Sequence, residues 1–258
     1  MTIATALDFQ QYTKAKCREE VAAAHRICAL LEIDDLTYTH ISGRLPTQGD
    51  HYCIGRFGAL FEEVTASSLI EIPLDENESG EELQKKEPNY NKTGYMIHGH
   101  IYRARPDVNC IMHLHTPAGT ALSGLKHGLL PISQWALHLY DLVGYHGYKG
   151  LVLDEEEGEA LVRNLDNKKA LILENHGVLT VGRTPQEAMF FMYHLEMACR
   201  TQQMLLSQCQ SIEDVVQIPE QVCAHANNQI INFEQDLGRR DWEAWVRKIT
   251  RMDPTYKD

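Results

Sequence analysis

Two histidines one residue apart lie in the segment Ile111-Met112-His113-Leu114-His115-Thr116. In an extended strand, side chains at i and i+2 point to the same face, so His113 and His115 can reach one point in space. The next residues are Thr116-Pro117, which end the strand, and strand ends are where sites are usually built. The spacing alone also fits two half-buried histidines in a sheet. His176 lies in Glu174-Asn175-His176-Gly177, a turn between the apolar runs 170–173 and 178–181. It is placed either to be aimed by two rigid strands or to bond turn backbone. Three imidazoles with an open fourth position make a catalytic type of zinc site. Imidazole also suits Fe, Co and Mn, so ligand type leaves the divalent ion open. Such an ion acts as a Lewis acid on a substrate oxygen or lowers the pKa of bound water.

A reaction at such a centre needs groups that move protons. Candidates are His98, His100, Tyr102, His138, Tyr140 and Glu174. His98 and His100 are two apart on an expected helix and point in different directions, so at most one faces the site. An imidazole suits the task because its reference pKa is near neutral. For substrate binding, Arg44 follows the Ser42-Gly43 loop and offers a bidentate fork to a carboxylate or phosphate. Gln134, Trp135, His138 and Tyr140 form an aromatic-polar patch that fits either a pocket lining or a core.

The elements that must position these residues can be read from pattern. Val21, Ala24, Cys28 and Leu31 form one apolar stripe of a helix over residues 17–31. Val108–Leu114 reads as a strand. Short helices are expected at His98–Arg105, stopped before Pro106, and at Ala118–Leu125. Asp154 can cap a helix running to Leu165. Thr184-Pro185-Gln186-Glu187 combines an N-cap, a first-position proline and a capping-box Glu, opening a helix to about Gln208. Helical stretches follow at 219–237 and 241–250. The acidic stretch from Asp75 to Glu87 reads as a solvated loop, and 126–150 as loops and strand pieces.

Composition narrows the function class. With 24 basic and 36 acidic residues the chain carries a net charge of −12 and no basic stripe, so no nucleic-acid partner is expected. No apolar run reaches membrane-spanning length, and no secretory leader is expected at the start. Seven cysteines, an odd number without a Cys-x-x-Cys pair, suggest reduced thiols and a cytoplasmic location.

Three stretches together resemble the class II aldolase/adducin family. They are Gly58-Ala59-Leu60-Phe61-Glu62-Glu63-Val64-Thr65-Ala66-Ser67-Ser68-Leu69, His98 to Asn109 continuing to His113-Leu114-His115-Thr116-Pro117, and Leu173-Glu174-Asn175-His176-Gly177-Val178-Leu179. The resemblance implies a single-domain three-layer α/β/α fold with a central, mostly antiparallel sheet over residues 15–208. Residues 209–258 are then a C-terminal helical extension packed on or near it. It implies that His113, His115 and His176 ligate a divalent metal, zinc first, with Fe2+, Mn2+ or Co2+ as alternatives. It also implies a homotetramer acting on a small-molecule substrate at a subunit interface. His98 has a counterpart in the family and joins Tyr140 and Glu174 as a catalytic candidate; Ser42, Arg44 and Gln134 are the substrate-binding candidates.

The chain also departs from the family's sugar-phosphate aldolases. Their acid/base Glu falls at Gly94. Their phosphate-binding Gly-Asn pair falls at Thr39-His40, and their Tyr after the His-x-His falls at or near Trp135. The expected function is a metal-dependent lyase-type enzyme (aldolase, decarboxylase or epimerase). Its substrate is a small hydroxy-carbonyl or keto acid, reacting through an enediolate. The alternatives are an adducin-like interaction protein and a non-haem iron oxygenase.

Overall fold

In the central strand Cys110–Leu114 every side chain is buried, a pattern that requires cover on both faces of a sheet. The computed structural model provides it. The structure describes residues 12–46, 50–74, 85, 87–88, 90–233 and 236–258; all of the acidic stretch except Lys85 and Glu87 lies outside them. The described strands are β1 (His40–Leu45), β2 (His51–Ile54), β3 (Ile70–Pro73), β4 (Cys110–Leu114), β5 (Val143–His146), β6 (Ala170–Leu173) and β7 (Gly177–Gly182). They form one seven-stranded sheet in the order β3-β2-β1-β4-β7-β6-β5. Every pairing is antiparallel except β5 with β6.

Alternation along the strands sends side chains to two cores. Ile41, Cys53, Cys110, Met112, Ile172 and Val178 belong to one. Helices α1 (Lys14–Leu30), α3 (Pro117–Ser123) and α6 (Pro185–Leu206) cover that face, with the short α4 (Gln134–Leu137) packed against α6. Ile54, Ile72, Ile111, Leu171, Leu179 and Val181 belong to the other. That face is covered by α2 (Lys92–Ala104) and α5 (Glu155–Leu165), which also pack on each other. The result is a mixed α/β protein with a central sheet flanked by helices, as the resemblance implied. The caps act as read from the sequence: Asp154 accepts from the Glu157 amide, and Thr184 from the Glu187 amide. Helix α2 begins six residues before His98, where the Asn91 carboxamide caps the Gly94 amide.

The last two helices, α7 (Glu220–Ile231) and α8 (Arg239–Met252), follow the α6 turn. Trp242, Ile249 and Tyr256 pack into the first core. The Arg26 guanidinium pairs with Asp253, and the Ala66 amide bonds the Tyr256 carbonyl. This segment is therefore part of the α1 face. All seven cysteines are free thiols. Among the described residues, no helix is long and apolar enough to cross a membrane.

Buried neutral histidines make the fold acid-sensitive. Burial pushes the pKa of His25 and of His194 down to about 4. The unfolded chain takes up these protons first, near the reference value of about 6.5. The stability they contribute is thus complete above about pH 6.5 and lost as pH falls towards 4, up to about 3 kcal/mol for each. The His194→Phe variant is expected to lose about 1.4 kcal/mol per pH unit from the slope of unfolding free energy between about pH 6 and 4.5. Urea denaturation across that range measures it, and an unchanged slope would refute the assignment.

Candidate metal centre

Strand β4 ends at Leu114 and α3 begins at Pro117, so His115 stands at the strand end and His113 two residues inside it. His113 pairs in register with His40 of β1 on one side and Leu179 of β7 on the other. His176 reaches the same point from the turn between β6 and β7. That turn needs a left-handed residue, and Asn175 supplies it at φ 54°. The strand after it must run close to His115. A Cβ on Gly177 would lie 2.7 Å from the Leu114 carbonyl oxygen and 2.9 Å from His115 Cδ2, so only glycine fits.

The ligating atoms of His113, His115 and His176 all lie within 4.8 Å of one another. Nitrogens that share one tetrahedral ion at about 2.0–2.1 Å lie about 3.3 Å apart, so the widest separation needs to close by about 1–1.5 Å for the three to hold it. The three rings are mutually close, with centroids 4.8–5.0 Å apart. Two of them are oriented from behind. The Nδ1–H of His113 donates to the Val178 carbonyl at 3.1 Å, and that of His115 to an Asp35 carboxylate oxygen at 2.9 Å. Each bond fixes the tautomer and turns the Nε2 lone pair inward, the usual arrangement of metal-binding imidazoles. His115 Nε2 and His176 Nε2 then face each other at 2.9 Å. Two lone pairs at that distance repel unless a proton or a cation lies with them. Burial and the neighbouring imidazole lower the His176 pKa to about 4, and burial, with the imidazoles around it, holds that of His113 well below the usual range. His113 and His176 are therefore neutral donors at ordinary pH. The donor set fits a divalent cation.

Asp35 had no sequence signal: it lies eighty positions from His115. Its role is testable. Asp35→Asn is expected to weaken metal affinity about 10- to 100-fold while leaving the fold intact. Competition with a chromogenic chelator measures it, and an unchanged affinity would sink the role.

Behind the metal histidines runs a buried polar chain. His40 Nδ1 and His98 Nε2 are 2.8 Å apart, His98 Nδ1 and Ser42 Oγ 2.5 Å, and Ser42 Oγ and Tyr102 Oη 2.8 Å. The His40 ring lies 5.0 Å from that of His113. Burial keeps both His40 and His98 neutral by holding their pKa values well below the usual range. His40 could have been found from sequence, since His40 and Ser42 are i and i+2 on a strand. It also explains Gly94: a Cβ there would sit 3.2 Å from His40 Cδ2. The imidazole fills the space into which a side chain at 94 would extend.

The remaining candidates are spread out. Glu174 is exposed at the His176 turn and lines a cavity of about 400 Å3 with Asn175, Lys126 and Tyr145. Tyr148, which sequence reasoning missed, places its ring 6.2 Å from that of His176. Ser42 is fully buried in the chain just described. Arg44 lies four residues along β1 from His40, about 13 Å away at strand spacing. It is occupied there by Asp50 and the Val108 and Tyr102 carbonyls. Within the chain, Gln134 is exposed at the start of α4, and Tyr140 lies beside Glu220 and Cys223. Neither is brought to the three histidines.

Comparison with known proteins gives the same picture. Residues 19–203 match the Class II Aldolase and Adducin N-terminal domain. An aldolase II superfamily protein from Pseudomonas syringae superposes with a TM-score of 0.85 at 37% identity, covering 95% of this chain and 96% of that one. An L-fuculose 1-phosphate aldolase from Glaciozyma antarctica gives 0.81 at 28% identity, covering 95% and 93%. Alpha-adducin of Mus musculus is 43% identical over 188 residues, which is 72% of this chain and 25% of adducin.

Proposed function

The chain belongs to the class II aldolase/adducin family, and from that premise we propose a metal-dependent lyase-type enzyme acting on a small hydroxy-carbonyl or keto-acid substrate. The observation that carries it is the pair of oriented imidazoles, His113 and His115, whose Nε2 atoms converge with His176. A bound divalent ion, zinc first, would supply Lewis acidity to a substrate carbonyl and hydroxyl, favouring the enediolate common to aldol cleavage, decarboxylation and epimerisation. The protein's own residues do the rest. His113 is buried while His115 and His176 are half-exposed, so substrate arrives on the side of the latter two. His98 is the proton-handling group, acting through His40, because no carboxylate stands at 94. With every member neutral, the chain from Tyr102 through Ser42 and His98 to His40 can hold its protons in one consistent direction. Glu174 and Tyr148, on the exposed flank of His176, are placed to contact the substrate's far end. Gln134 and Tyr140 join a site only across an interface in a homotetramer. The soluble-enzyme reading places the protein in the cytoplasm.

One experiment tests the shared chemistry without knowing the substrate. Protein purified without chelator is expected to hold about one divalent ion per chain. It is expected to catalyse exchange of the C–H hydrogens of hydroxyacetone in D2O, followed by NMR, with the exchange lost on chelation. Metal content without exchange would reject the lyase. Iron with oxygen consumption would favour an oxygenase. The 43% identity to alpha-adducin supports the second reading, an interaction domain; a metal-free protein would make that the better account.

A further inference from the structure

Beside the metal histidines, on the far side of His40, lies a second polar feature. A cavity of about 10 Å3 is lined by His25, Thr39, His40, Gly55 and Asn91, with exposed Arg56 at its rim. It has room for one water-sized group. Two buried side-chain atoms from its lining have no hydrogen-bond partner, His25 Nε2 and Thr39 Oγ1. The residues are 1% and 6% exposed. Buried polar groups left unpaired cost free energy, so such a pair marks a place where something else supplies the bonds.

The two atoms define what that something is. His25 donates its Nδ1–H to the Val21 carbonyl at 2.8 Å, so Nε2 is a bare acceptor. It is held in place from below: a Cβ on Gly55 would lie 2.7 Å from it. Thr39 can donate its hydroxyl proton. An alcohol group satisfies both, giving its proton to His25 Nε2 and accepting one from Thr39. A phosphate can accept from Thr39, but as the dianion that prevails at neutral pH it has no proton for Nε2, and it is several times larger than the space. The Asn91 carboxamide oxygen is already engaged with the Gly94 amide and the Thr93 hydroxyl. Arg56 lies outside the floor, in water.

We propose that this cavity receives a terminal, uncharged hydroxyl of the substrate, so that the enzyme acts on non-phosphorylated hydroxy-carbonyl compounds. The inference rests on the metal-site reading above: the carbonyl and one hydroxyl engage the three-histidine centre, and the other end of a short chain passes His40 into the cavity. Position 39 then sets specificity, and the Thr39-His40 sequence is a replacement for a phosphate-binding turn.

Three probes share the chelating end and differ only at the other: dihydroxyacetone, hydroxyacetone and dihydroxyacetone phosphate. Each is titrated by ligand-observed NMR into metal-loaded wild type, Thr39→Val and Thr39→Ser, with metal content measured on every sample. Dihydroxyacetone is expected to bind wild type about 3- to 10-fold tighter than hydroxyacetone, the range of one net hydrogen bond. It should also bind tighter than its phosphate. Thr39→Val should erase the preference over hydroxyacetone with metal content unchanged, and Thr39→Ser should keep it. Tightest binding of the phosphate overturns the proposal. So does a preference that survives in Thr39→Val, which would leave the cavity as a site for structural water. Failure of all three probes to bind metal-loaded protein overturns it as well. Absence of metal from the wild type overturns instead the reading beneath it.

Discussion

His176→Ala is expected to purify with almost no divalent metal, against about one ion per wild-type chain, and with no measurable enediolate-type exchange activity. The effect should exceed that of Asp35→Asn, because a ligand is removed rather than the group that orients one. The variant should still fold. His176 is half-exposed at a turn, and the two cores on either side of the sheet do not depend on it. Metal added to wild type should raise its thermal midpoint, since an ion that binds only the native state stabilises it in proportion to the logarithm of its concentration over Kd. In His176→Ala that response should vanish. His138→Ala is the control. Its ring stacks on His194 at 4.1 Å and touches none of the three ligands, so its metal content and thermal response should match wild type. Full metal occupancy in His176→Ala, by elemental analysis, would rule out the three-histidine centre.

How much of this centre was readable from sequence follows from the range of each signal. His113 and His115 could be paired because strand periodicity is local. The helix starts at Asp154 and Thr184 were legible for the same reason: a cap and its amide lie within three residues. His176 could be placed on a turn, but its convergence on His115 depends on strand order, with β4 next to β7. Sequence pattern does not encode that order; the family resemblance supplied His176 as a ligand without it. Asp35 was invisible because it lies on a connection with no pattern of its own. Arg44 was misleading because the loop expected around Ser42-Gly43 is a strand, which carries the guanidinium away along β1. His25 reads as one more residue on the buried side of α1. Only the structure shows that its outer nitrogen has nothing to bond.

Gly94→Glu, which writes back the carboxylate that sugar-phosphate aldolases of this family carry, is expected to destabilise the protein rather than create an aldolase. A Cβ at 94 would stand 3.2 Å from both His40 Cδ2 and Ile54 Cδ1. His40 cannot swing aside cheaply. It is buried, and its Nδ1 is committed to His98. Extra atoms in a packed site cost about 1–3 kcal/mol, and here a carboxylate is also buried without a cationic partner. His40→Ala alone is expected to cost a similar amount, since it leaves a void and strips His98 Nε2 of its partner. If the two side chains compete for one space, the double variant should be less destabilised than the sum of the singles by more than about 1 kcal/mol, within the range seen for residues in contact. Urea denaturation of the four proteins measures this coupling, and simple additivity would show that His40 does not occupy the space of the missing Glu. The same four proteins separate two accounts of the proton-transfer step. If His40 and His98 carry the proton, His40→Ala should abolish exchange of hydroxyacetone hydrogens at full metal content, and the double variant should recover part of it through the carboxylate. Exchange that persists undiminished in His40→Ala would shift proton transfer to the exposed flank of His176, where Glu174 and Tyr148 lie.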